Sequence, residues 1–163
     1  MWNVAFSEGV TMLNLLNEFH LVVKVLEEEK IDYAICGGMA MAIHGFLRAT
    51  VDIDIVLLQE NIEKTKLAFK EKGYRIESNP MNFGNGATII HRITKIDPDS
   101  EDFMVLDILE VTEAMKDVWE NRQRIEWKFG TMSVVNKAGL IQMKKMRNSK
   151  VDQEDIERLE NNE

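Results

Sequence analysis

Two aspartates, two positions apart, are the first groups in this chain that could do chemistry. Asp52 and Asp54 alternate with Val51, Ile53, Ile55 and Val56. In an extended strand successive side chains point to opposite faces, so both acids would project from one side while the isoleucines take the other. An apolar strand does not readily accept two like charges side by side, because burial and mutual repulsion both disfavour ionisation. A divalent cation removes that conflict, and Mg²⁺ suits a few carboxylates completed by water and phosphate oxygens. The plainer alternative is an edge strand with a solvated acidic face.

The residues just upstream favour the phosphate chemistry. Gly37-Gly38 follows a short apolar strand, Tyr33 to Cys36, and precedes a small-residue helix predicted over Met39 to Phe46. Backbone amides of a glycine turn leading into a helix form a nest for phosphate oxygens. Arg48 stands on the loop ahead of the acids, where a guanidinium can meet phosphate with two parallel hydrogen bonds. Its alternative is an ion pair with Asp52 or Asp54. His44 has no second ligand at metal-binding spacing and reads as a packing or hydrogen-bonding residue. Cys36 reads as a small buried hydrophobe.

The order GG, short helix, then RxTxDID from Arg48 through Thr50, Asp52, Ile53 and Asp54 resembles the nucleotidyltransferase superfamily. The form with Arg and Thr before the acids is most similar to the bacterial abortive-infection-type toxin nucleotidyltransferases, and also resembles the small aminoglycoside and lincosamide nucleotidyltransferases. The resemblance implies a polymerase-beta-like fold, with a third carboxylate on a neighbouring strand. Asp107 is the candidate, because it interrupts the apolar run FMVLDILEV, where a charge needs a partner or a metal. It would bind metal with Asp52 and Asp54 or take the acceptor's proton. The bland alternative is an aspartate paired with a core cation.

The chain must supply elements that hold these groups. Its 163 residues, 45% hydrophobic and 29% charged, have an ordinary globular composition and predict one domain over 1–163. With one cysteine, no signal peptide and no apolar run of about 18 residues, a cytoplasmic protein without membrane contact is expected. The net charge of -8 argues against indiscriminate binding to a polyphosphate backbone, so nucleotide contacts must come from a local basic patch.

Periodicity predicts an amphipathic helix over Met1 to Glu29, a surface helix over Asn61 to Lys72 with Ile62, Leu67 and Phe69 apolar, and a short strand at Tyr74 to Glu77. Ser78 to Gly86 reads as a turn or mobile loop. A strand over Ala87 to Thr94 places Thr88, Ile90 and Arg92 on one face and His91 on the other. Phe103 to Val111 is the next strand. Thr112 to Glu120 reads as a helix with Thr112 as a possible cap, and Arg122 to Val135 as a hairpin.

No acid occurs from Trp127 to Val151, while Lys137, Lys144, Lys145 and Arg147 all fall there. A helix over Asn136 to Arg147 would bring Lys137, Lys144 and Lys145 to one side, and Asp152 could cap a last helix ending at Glu160. LIQMKKMRNSKVDQEDIERL resembles the toxin-type family's C-terminal pattern, a Lys followed eight residues later by an Asp; Lys144, Asp152 and Asp155 match it. Ser149 stands where that family commonly has Arg, and Arg147 could substitute. The resemblance implies Lys144 as a triphosphate ligand.

The resulting expectation is an α/β (α+β) fold with a small mixed sheet, flanking helices and a C-terminal helical pair. Asp52, Asp54 and Asp107 would be catalytic and metal-binding; Gly37, Gly38, Arg48, Thr50, Lys144 and Arg147 would bind nucleotide. The cofactor would be Mg²⁺, or Mn²⁺ in its place, with an NTP as substrate. The acceptor would be tRNA, protein or a small molecule, and a toxin would bring a cognate antitoxin as partner. Beside the toxin-like or regulatory enzyme stand an antibiotic nucleotidyltransferase and a non-catalytic nucleotide-binding module.

Overall fold

A computed structural model describes residues 13–161. Helix α1 spans Leu15–Glu28, capped by the Asn14 side chain, which accepts from the backbone of Leu16 and Asn17. The earlier part of the helix expected from Met1 lies outside the described residues. The apolar face of α1 buries Phe19, Val22, Val23, Val25 and Leu26. Among them sits Glu18, whose carboxylate accepts from the Tyr74 hydroxyl at 2.9 Å and from Lys95 Nζ at 2.8 Å. A carboxylate at that depth is tolerable only with such partners, and the trio ties α1 to the sheet.

After β1 (Ala34–Cys36) the chain enters α2 (Gly37–Ile43) at once, two residues earlier than the glycine pair suggests. Strand β2 (Asp52–Leu57) starts after Val51, which is 70% exposed and takes no part in the apolar face. Helix α3 (Ile62–Lys70) buries Ile62 and Phe69 but leaves Leu67 67% exposed. Strand β3 (Tyr74–Glu77) follows as expected.

The 78–86 segment is not all loop. Met81–Phe83 forms β4, paired antiparallel with β5 (Thr88–Ile96) across a tight turn in which Asn82 Oδ1 accepts from the Gly86 amide. Asn79 and Pro80 precede this hairpin arm and Gly84, Asn85 and Gly86 follow it, and three residues are too few to show alternation between them. Strand β6 (Phe103–Glu110) runs next, then α4 (Lys116–Glu120), the hairpin β7 (Gln123–Trp127) and β8 (Gly130–Val134), and helices α5 (Lys137–Arg147) and α6 (Lys150–Asn161). Thr112 does not cap the turn before α4; its hydroxyl donates to Ala87 O at 2.7 Å.

The strands form one mixed sheet in the order β3-β5-β6-β2-β1-β8-β7, with β4 also on β5. Among the described strands, only the pairs β2–β6 and β1–β8 are parallel. The central strands β1, β2 and β6 are mostly apolar, interrupted by Asp52, Asp54, Asp107 and Glu110, as suits strands covered on both sides. Among the described residues no helix is long and apolar enough to cross a membrane.

The Glu18 trio gives a direct test of how α1 is held. Glu18→Ala leaves an ammonium and a phenol without their acceptor in the core. It should cost about 2–3 kcal/mol, read as a lower urea midpoint at unchanged slope; Leu67→Ala, on an exposed position of α3, should shift it little.

Candidate functional site

The sheet order brings the three aspartates together. Strand β2 lies between β1 and β6, with Asp54 in register with Cys36 on one side and with Asp107 on the other. Registered partners in neighbouring strands point to the same face, so Asp107 joins Asp52 and Asp54 instead of opposing them. All three line a cavity of about 680 Å³, and so do Gly37, Gly38, Arg48, Thr50, Lys144 and Arg147. Residues drawn from β1 through α5 therefore face one space.

The glycine pair is required by contact. A Cβ on Gly37 would fall 2.1 Å from Asp54 Oδ2, and Gly37 has φ +64°; a Cβ on Gly38 would fall 2.6 Å from Thr50 Oγ1. The bend is pressed against the acid strand with no space for side chains. Thr50 itself donates to Asp52 O at 3.2 Å, fixing the loop that leads into β2.

Charge accumulates at this face. Burial pushes the Asp54 carboxyl up to about 7, and the charges of Asp107 and Asp52 push the same way, against Arg147 and Arg92. Burial and Asp107 also raise Asp52. Cys36, buried at the end of β1, has its thiol pushed well up by burial and by the neighbouring acids, which makes it a poor nucleophile.

Lys144, Lys145 and Arg147 of α5 each have an acid on α6. Lys144 is buried, 2.8 Å from Asp155 and 3.9 Å from Asp152. Arg147 donates through Nε and Nη2 to both oxygens of Asp152, at 2.8 and 2.5 Å. Arg48 pairs with Asp155 rather than with Asp52 or Asp54. Lys145 turns away to Glu160, and Lys137 lies over the Phe46 ring, so the expected lysine cluster does not form. Burial would raise Asp152, but hydrogen bonds from Arg147 and Ser149 prevail and hold it at about 2.

Ser149 occupies the capping position foreseen for Asp152. Its Oγ accepts from the Asp152 amide at 3.1 Å while the Asp152 carboxylate accepts from the Ser149 amide at 3.0 Å, a reciprocal capping box. His44 donates from Nε2 to Val135 O at 2.8 Å, and His91 faces Glu110 at 3.1 Å.

Arg92 lines the same cavity and was not among the site residues expected from the sequence. Its Nε and Nη2 donate to the two oxygens of Asp107, both at 2.8 Å, so Asp107 has a cationic partner as well as a place in the cavity. The available signal was its position on the face of β5 shared with Thr88 and Ile90, which also line the cavity. The hard oxygen donors of Asp52 and Asp54, crowded into mutual repulsion, fit a magnesium-like ion. Among the described residues, however, no three acid, histidine or cysteine side chains are gathered closely enough to hold a metal ion.

No family model matches the chain, and no curated protein matches it. Solved structures do. TM1012 of Thermotoga maritima, a presumed nucleotidyltransferase, superposes with TM-score 0.55 at 15% identity, covering 95% of each chain. ANT(2")-Ia, solved with adenylyl-2"-tobramycin, superposes with TM-score 0.56 at 13% identity, covering 88% of this chain and 86% of that one. The fold is thus that of nucleotidyltransferases.

The raised Asp54 pKa has a signed consequence for metal-free protein. A carboxyl titrating near 7 when folded and near 3.8 when unfolded withholds stability progressively as pH rises through that interval. Asp54→Asn cannot ionise, so relative to wild type it should gain about 1–3 kcal/mol between pH 4 and pH 8. Thermal melts in EDTA read this directly; a difference that does not change with pH would contradict the assignment.

Proposed function

We propose that this chain is a metal-dependent nucleotidyltransferase that moves a nucleoside monophosphate from an NTP to a hydroxyl on RNA or protein, as a toxin-like or regulatory enzyme. The observation that carries the reading is the meeting of Asp52, Asp54 and Asp107 in one cavity with the Gly37-Gly38 bend. The fold likeness to TM1012 and ANT(2")-Ia supports it.

In this reading the acceptor oxygen bonds to the α-phosphorus, the bond to the bridging oxygen breaks, and pyrophosphate leaves. The acceptor's proton passes to solvent, by way of Asp107 where that residue serves as the base instead of as a metal ligand. Asp52 and Asp54, with Asp107, would hold Mg²⁺ or Mn²⁺, which supplies charge stabilisation at the reacting phosphate. Backbone amides at Gly37 and Gly38 would receive β- and γ-phosphate oxygens. Lys144, Arg48 and Arg147 would offset phosphate charge while Asp152 and Asp155 keep them on the cavity wall, and Thr50 holds the acid strand's entry loop. Positioning and electrostatics carry most of such a reaction.

The complex of ANT(2")-Ia with adenylyl-2"-tobramycin favours a second reading, an antibiotic-modifying enzyme. The cavity speaks for the first. Its lining includes Met81, Phe83, Ile90, Leu109, Met115 and Met143, and has no acid besides the three aspartates. A polyamine acceptor would want an anionic rim.

The test is to incubate the protein with each α-labelled NTP and Mg²⁺, adding tRNA, total protein or an aminoglycoside and lincosamide panel in separate reactions. Label is expected on RNA or protein, and Asp52→Asn, Asp54→Asn and Asp107→Asn should each reduce it by ~10²-fold or more with the circular dichroism unchanged. Label on a drug would move the assignment to the second reading. Nucleotide binding without transfer to anything would make the chain a binding module, and full activity in Asp107→Asn would remove that residue from the mechanism. A toxin-like role further predicts growth arrest on expression, relieved by a cognate antitoxin.

A further inference from the structure

Asp107 and Arg92 face each other in register across β6 and β5. The guanidinium fork meets the carboxylate fork with two hydrogen bonds of 2.8 Å, the geometry in which a charge-assisted pair is strongest. The partners are unequal in freedom. The Asp107 side chain is 7% exposed and set in the sheet, whereas the Arg92 side chain is 37% exposed on the cavity wall.

Asp52 and Asp54 differ from Asp107 in this respect. Neither carboxylate has a described arginine, lysine or histidine within ion-pair distance, and they lie one strand away on the same face. Three carboxylates thus line one cavity, yet no three ligands are gathered for a metal ion among the described residues. Arg92 meets both Asp107 oxygens, so a cation approaching Asp107 would meet the guanidinium charge beside it.

We infer that Arg92 is a positioning residue that occupies both oxygens of Asp107, so that the nucleotide-free cavity accepts one divalent cation, on Asp52 and Asp54, and not two. Asp107 becomes a ligand when Arg92 releases it, and the exposed guanidinium is the partner able to move. The inference rests on the metal-binding reading of the aspartates given above.

Substitutions separate this from simple repulsion between a cation and an arginine. Arg92→Met removes both charge and fork; Arg92→Lys keeps the charge but cannot span two oxygens. Nucleotide-free protein is titrated with Mn²⁺ and free ion is counted by electron paramagnetic resonance. Wild type should bind one Mn²⁺ per chain, and both variants should bind a second, or bind the first about tenfold more tightly. Adding Asp107→Asn to Arg92→Lys should return the count and affinity to those of wild type.

Two ions in wild type would overturn the inference. So would an Arg92→Lys variant that binds as wild type does, whether or not Arg92→Met differs, since charge alone would then account for the result. If wild type binds no Mn²⁺ and Asp52→Asn changes nothing, the metal reading of the cavity falls together with the inference; binding to wild type with unchanged variants overturns the inference alone.

Discussion

Crowding of negative charge on one face of an apolar sheet is the constraint around which this molecule is built. Strands β2 and β6 run parallel in a register that sets Asp54 beside Asp107, with Asp52 two residues back. The strands cannot slide to relieve the repulsion, because a one-residue slip would turn Ile53, Ile55, Leu106 and Ile108, all buried, toward the cavity. The acids are held in place by the burial of their neighbours. The cost appears in the raised carboxyl of Asp54, and proteins keep such charge repulsion chiefly where a ligand relieves it.

Positive charge is arranged around that face indirectly. Arg92 reaches it through Asp107, while Arg48, Lys144 and Arg147 stand at the cavity wall bound to Asp152 and Asp155 of α6. The α5–α6 turn makes this possible: Asn148 takes a left-handed conformation that ends α5, and the Ser149–Asp152 box starts α6 within one residue of it. Asp152 thereby serves two purposes, completing the cap and fixing Arg147. Carboxylates on α6 keep long side chains ordered, which lowers the entropy lost when they meet an anion.

Legibility in the sequence followed periodicity and chemistry. The face shared by Asp52 and Asp54 was readable because strand alternation has an unambiguous period, and Asp107 because one charge in FMVLDILEV demands an explanation. The strand pair β7–β8 and helix α5 were readable for the same reason. What could not be read was pairing. Nothing local says that Arg92 lies opposite Asp107 or that Arg48 crosses to Asp155, since those partners meet only after β5, β6 and α6 have docked. The lysines of α5 show the opposite error, in which a run of cations looks like one patch until each is seen to have its own acid or ring. Strand β4 was hidden by its turn residues, which outnumber the three residues that pair.

The account stands on a nucleotide whose phosphates lie between the glycine bend and the aspartates. A crystal structure of the protein with a non-hydrolysable NTP and Mg²⁺ tests it most directly. The account predicts the triphosphate in the 680 Å³ cavity, with oxygens at the backbone of Gly37 and Gly38 and metal on Asp52, Asp54 and Asp107. Nucleotide bound elsewhere, or a cavity that stays without nucleotide at saturating concentration, would contradict it.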